Sequence, residues 1–148
     1  MDALVKRGVH FLNESASLCV FCKSQQESVN HLFSSCKFSY ALWKLIYNWL
    51  NISLALPLVP IHHFSSFMGL MKNRKCWKLW SVIWLATIWT IWLARNDIVF
   101  NNAQPSIHKI LNSSKVNSWL WVKAQHRKEN ILFTDWNTNP LACLNFAL

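Results

Sequence analysis

Cys19, Cys22, His31 and Cys36 follow one another as C-x2-C-x8-H-x4-C, four soft donors within eighteen residues. No other feature constrains the fold as tightly. A Cys-x2-Cys turn closes one side of a tetrahedral zinc site, and a second pair closes the other only if the chain returns to the same point. With Zn–S near 2.3 Å and Zn–N near 2.0–2.1 Å, all four side chains must converge. The spacing is longer than the C-x2-C-x4-H-x4-C of a retroviral knuckle and shorter than that of a two-Cys, two-His finger. It specifies one structural zinc ion without specifying a function. The alternative is a cluster of buried thiols acting as small hydrophobes.

The rest of the chain reads as helical. It has 148 residues, 53% hydrophobic, with ten Trp and nine Phe but only two Gly and four Pro. One domain of ordinary size is expected. So little turn chemistry excludes a sandwich or barrel and leaves a mostly α fold: a small Cys3His turn followed by about four helices. The apolar content exceeds what a core of this size needs, so some of it is expected to meet a partner.

Read in order, Leu4 to Val9 is the tail of a helix closed by Gly8, and His10 to Leu18 is a polar loop. Glu27 lies four residues before His31. On a helix the two share a face, where Glu27 would hold the outer imidazole nitrogen behind the metal; a solvated carboxylate is the plainer alternative. From Phe38 to Leu50, Leu42, Leu45, Ile46 and Trp49 recur at helical spacing, while Trp43 is expected to pack on the metal turn. Pro57 and Pro60 mark residues 51–60 as a linker. This divides the chain into residues 1–50, the linker, and a helical region at residues 61–148. His62 and His63 are adjacent, point different ways on a helix and lack a third ligand, so they are not read as metal-binding. A short helix follows at Phe64 to Met71.

Leu79 to Ala94 is uncharged, sixteen residues long and bracketed by Lys78 and Arg95. A membrane span needs about 20 residues with Trp at its ends; here Trp runs throughout. A buried core helix is expected, and a membrane-associated protein is the weaker alternative. Asn96 to Ala103 is expected to break the pattern. Pro105 would open a further helix to about Lys128, with Ile107, Ile110, Leu111, Trp119, Leu120 and Val122 as its imperfect stripe. The tail from Phe133 to Leu148 reads as extended or loop, pinned by Trp136.

Charge and cysteine usage bound the function. The formal net charge is +9, and no acidic residue lies between Ser28 and Asn96. Basic residues at Lys72, Arg74, Lys75, Lys78, Lys123, Arg127 and Lys128 suit RNA or DNA phosphate. The plainer alternatives are solubility and, for the last three, the helix dipole. The opening residues lack a secretory core, so an intracellular, reducing setting in nucleus or cytoplasm is expected, where clustered Cys bind metal. Cys76 and Cys143 are left as plain thiols. The six acidic residues are scattered, at Asp2, Glu14, Glu27, Asp97, Glu129 and Asp135, with no paired carboxylates for two-metal chemistry and no nucleophile motif. No catalytic residue is assigned, and a four-ligand zinc site offers no open position. A non-catalytic module is expected.

These residues resemble a known family. Leu4-Val-Lys-Arg7-Gly-Val9, the Cys19/Cys22 turn, Glu27-Ser28-x2-His31-Leu32-Phe33-x2-Cys36, Trp43 and Trp49 look like the reverse transcriptase zinc-binding domain of plant LINE-type retrotransposons. Ile91-Trp92-x2-Arg95-Asn96-x3-Phe100 and Asp135-Trp136-x3-Pro140-Leu141 resemble segments downstream of that domain. The resemblance implies zinc on Cys19, Cys22, His31 and Cys36, help with nucleic-acid handling beside a polymerase, and the remainder of a reverse transcriptase polyprotein as partner. It also implies a Trp- and Phe-rich stretch before Arg7, so the chain reads as a fragment or relic whose helices expose apolar surface. A structural or protein-interaction zinc module is the alternative.

Overall fold

The computed structural model describes residues 18–53, 55–57, 59–70 and 74–146. The expected helix tail at Leu4–Val9, most of the loop before Leu18, and Lys72 lie outside the described residues. The described chain is mostly helical, as expected from its scarcity of Gly and Pro.

After the Cys19–Cys22 turn, a single π-helical turn spans His31–Ser35. Helix α1 follows at Lys37–Trp49 and buries Leu42, Trp43, Ile46 and Tyr47 on one stripe. Its end is a two-bond lock. Asn51 takes a left-handed φ of 56°. Its N–H and that of Ile52 then reach back to the carbonyls of Asn48 (3.1 Å) and Tyr47 (2.9 Å), satisfying acceptors the helix leaves open. Helix α2, Pro60–Leu70, opens on proline, which lacks the N–H that a first turn cannot use.

Helix α3 spans Arg74–Asn101, 28 residues without a break. The break expected at Asn96 is absent. Arg95 is buried and paired, and the Asn101 amide donates to Asp97 at 2.8 Å one turn back, so the polar run is held in the helix. The expected core helix buries one side, through Leu79, Trp80, Val82, Ile83, Ala86, Thr87, Thr90 and Ile91, and leaves the other exposed. Only 44% of its most apolar window is buried, and by length and composition the helix could cross a membrane.

A connector through Asn102, in left-handed conformation, turns the chain back into helix α4, Ile107–Gln125, capped by the Ser106 hydroxyl. α3 and α4 pack as an antiparallel pair across small residues. The Thr90 and Ser114 hydroxyls meet at 2.6 Å, and each also bonds a carbonyl in its own helix. The buried stripe of α4 is therefore Ile110, Ser114, Ser118 and Val122. Leu120, expected on it, points outward at 48% exposure.

The tail is helical rather than extended: α5 spans Phe133–Thr138 and α6 spans Pro140–Phe146. Trp136 is fully buried and pins it as expected, donating its indole N–H to the Lys115 carbonyl at 3.1 Å. Tryptophan joins the other elements in the same way. Trp49 donates to the Asn137 carbonyl, Trp80 to Phe64 and Trp119 to Ile131. Each of these four rings thus satisfies its polar handle while fastening one segment to another.

Candidate metal centre

Every element around the four donors is local. The Cys19 carbonyl accepts from Lys23 N–H and the Cys19 N–H donates to the Gln25 carbonyl, both at 2.8 Å. Lys23 takes a φ of 52°, in the left-handed region where the turn reverses. His31 and Cys36 are five residues apart, and the π-turn bond from Cys36 N–H to the His31 carbonyl, 2.8 Å, spans that interval. Cys36 then stands at the N-cap of α1, where the helix amides favour negative charge on sulfur.

The Sγ atoms of Cys19 and Cys36 are 3.7 Å apart. Cys22 Sγ lies 3.3 Å from His31 Nε2. All four donor atoms fall within 4.8 Å of one another. Tetrahedral ligation with ordinary bond lengths separates two sulfurs by about 3.8 Å and a sulfur from an imidazole nitrogen by about 3.6 Å. Three thiols and an imidazole at these separations fit one zinc ion, which would leave no open coordination position and act as a staple.

Two of the four donors, Cys22 and Cys36, are poised to lose protons. Burial would push the Cys22 thiol up, but hydrogen bonds from the Ser24 hydroxyl, nearby backbone amides and His31 overcome it and hold it at about 5. The bond from Cys19 holds Cys36 low, helped by the amides of Phe38 and Ser39. The same bond and burial push Cys19 up. For His31, burial works downward and loses to its bond with Cys22, leaving the imidazole raised.

Glu27 does not stand behind His31. It precedes the helical turn, so the four-residue spacing puts the two on no common face. Ser35 Oγ lies 3.5 Å from His31 Nδ1 instead. Glu27 turns to Arg95 of α3: its Oε1 accepts from Arg95 Nε and Nη2, both at 2.7 Å, with the two side chains 5% and 3% exposed. Its other oxygen accepts from Val20 N–H at 3.5 Å, inside the Cys19–Cys22 turn. This pair, which the sequence reading missed, ties the metal turn to the long helix. The signal was there: one arginine closing an uncharged run, and one glutamate at the edge of an acid-free span.

Two further contacts seat the turn on α1. Phe21 stacks on Phe38, with ring centroids 4.6 Å apart. Trp43 donates to the Phe33 carbonyl at 2.7 Å, so it does pack on the metal turn, while its ring lies 4.2 Å from that of His63. His63 is core: 1% exposed, ringed by Trp43, Tyr47 and Trp80, and pushed down to about 4 by burial. His62 is exposed.

The expected phosphate-contacting residues fall in two groups. Arg74, Lys75 and Lys78 lie in the first turns of α3. Lys123 lies in the last turn of α4, stacked over Trp119 at 4.6 Å, and α4 ends at Gln125, so Arg127 and Lys128 sit in the turn beyond. Because Thr90 faces Ser114 in an antiparallel pair, both groups lie at the same end of the α3–α4 hairpin.

Fold and site together give a chain that is mostly helical among the described residues, with a Cys3His turn whose donors could hold one metal ion. Residues 1–43 match the family model described as zinc-binding in reverse transcriptase. No curated protein and no solved structure matches the chain.

Proposed function

We propose that the chain is a non-catalytic zinc-binding module derived from a LINE-type retrotransposon reverse transcriptase, of the kind found in plants, and that it assists nucleic-acid binding beside the polymerase. The convergence of Cys19, Cys22, His31 and Cys36 within 4.8 Å carries the zinc assignment. Zinc there contributes folding energy, and the protein groups around it hold the Cys19–Cys22 turn against α1 and α3. The nucleic-acid role is supported by the net charge of +9 and by two basic groups meeting at one end of the α3–α4 hairpin.

Salt dependence of binding to generic single-stranded RNA tests it. Engagement of about four cations gives a log–log slope near −3. Arg74→Gln with Lys78→Gln should lower the slope by about 1 to 1.5. Affinity indifferent to salt, or no binding at low salt, refutes the role. A protein-interaction module is then the better reading, and the exposed apolar residues of α3 favour it.

A further inference from the structure

The outward face of α3 is a single stripe. Leu85, Trp89, the neighbours Trp92 and Leu93, Asn96 and Phe100 recur at helical spacing along it, and Arg74 and Lys78 lie on the same side upstream. Leu85 is 52% exposed, Trp89 48%, Leu93 43% and Phe100 62%. With Trp92 these side chains leave on the order of 500 Å² of apolar surface in water, the upper range for a monomer. Beside the stripe a groove opens between α3 and α4, walled by Leu93, Ala94, Phe100, Ile110 and Val116.

From this pattern we infer that α3 pairs with α3 of a second copy of the chain, antiparallel, about a two-fold axis at Trp92 and Leu93. Three observations select this occupant. First, the stripe is self-complementary about that axis: Leu85 meets the partner's Phe100, Trp89 meets the partner's Asn96, and the ridge of one helix enters the other's groove. Second, the charges fit only this direction. Antiparallel pairing carries the two Arg74–Lys78 segments to opposite ends, past the partner's Asn101, whereas parallel pairing would set like charges side by side. Third, two such faces bury about 1,000 Å² in all, the area at which specific association begins. A nucleic-acid strand would want cations along its path, yet the stripe carries none from Leu85 to Phe100; Arg95 is buried against Glu27.

Sedimentation equilibrium of the full, zinc-loaded chain reads the outcome. Between about 1 and about 100 µM the mass should rise from 17.4 kDa towards twice that value. Trp89→Lys should keep it at the monomer mass with helicity unchanged; Leu85→Glu serves the same end if that variant fails to fold. On a Cys76→Ser, Cys143→Ser background, Leu93→Cys should cross-link to itself under mild oxidation. Leu85→Cys should cross-link only when mixed with Phe100→Cys. A parent that stays monomeric, a dimer that survives both charge variants, a heterogeneous aggregate, or self-linking by Leu85→Cys overturns the proposal. So does a monomer that binds anionic vesicles through Trp89.

Discussion

Arg95 and Glu27 meet at 2.7 Å with both side chains almost wholly out of water, and the carboxylate also takes the Val20 amide of the metal turn. Arg95→Met leaves that carboxylate buried without its cation. Removing one partner of a buried pair costs about 3–5 kcal/mol, because the remaining charge is uncompensated. At about 2–4 °C per kcal/mol for a chain of this size, the melting temperature should fall by roughly 10 °C. Glu27→Met should cost a similar amount, since it strands the guanidinium. The double variant removes both charges and should recover much of the loss, as apolar replacement of a buried pair is often near neutral. Thermal or urea unfolding of the parent, both single variants and the double variant closes the cycle, with a coupling of at least about 2 kcal/mol expected. Single losses under about 1 kcal/mol that simply add would refute the claim that this pair clamps the metal turn to α3.

His63 offers a second test. Its imidazole takes up a proton near 6.5 when unfolded but only near 4 in the core. The unfolded state therefore binds more protons across that window, and stability falls as pH drops from 6.5 to 4, by up to about 3 kcal/mol. His63→Phe should flatten this part of the pH dependence relative to the parent, measured by urea unfolding; an unchanged slope would show that His63 is not buried as a neutral ring. Cys19→Ser or Cys36→Ser should lower zinc content and melting temperature together, and a variant that keeps both would exclude its cysteine as a ligand.

Helices and donors were legible in the sequence because both depend on local spacing. Leu42, Ile46 and Trp49 repeat at helical intervals, and Cys19, Cys22, His31 and Cys36 advertise their convergence. What was hidden depends on distant partners. Asn96 looked like a break, but Arg95 is neutralised by a glutamate 68 positions away, so the polar run stays helical. The buried face of α4 was only partly legible, because beside Ile110 and Val122 it is made by Ser114 and Ser118, whose hydroxyls donate to the Ile110 and Lys115 carbonyls, Ser114 also meeting Thr90. The tail carries little periodicity, yet Trp136 buries itself against α4 and the tail forms two short helices. Glu27 shows the opposite error: a helical spacing applied where the backbone is not helical gave it the wrong partner.

The central claim is that one zinc ion on Cys19, Cys22, His31 and Cys36 organises the N-terminal half of the structure. The most direct measurement is elemental analysis of the purified chain before and after a strong chelator, with helicity followed in the same samples. The account predicts one zinc per chain and a large loss of helicity on removal, since site formation and folding share about 10–16 kcal/mol of binding energy. A soluble, fully helical chain without zinc would contradict it.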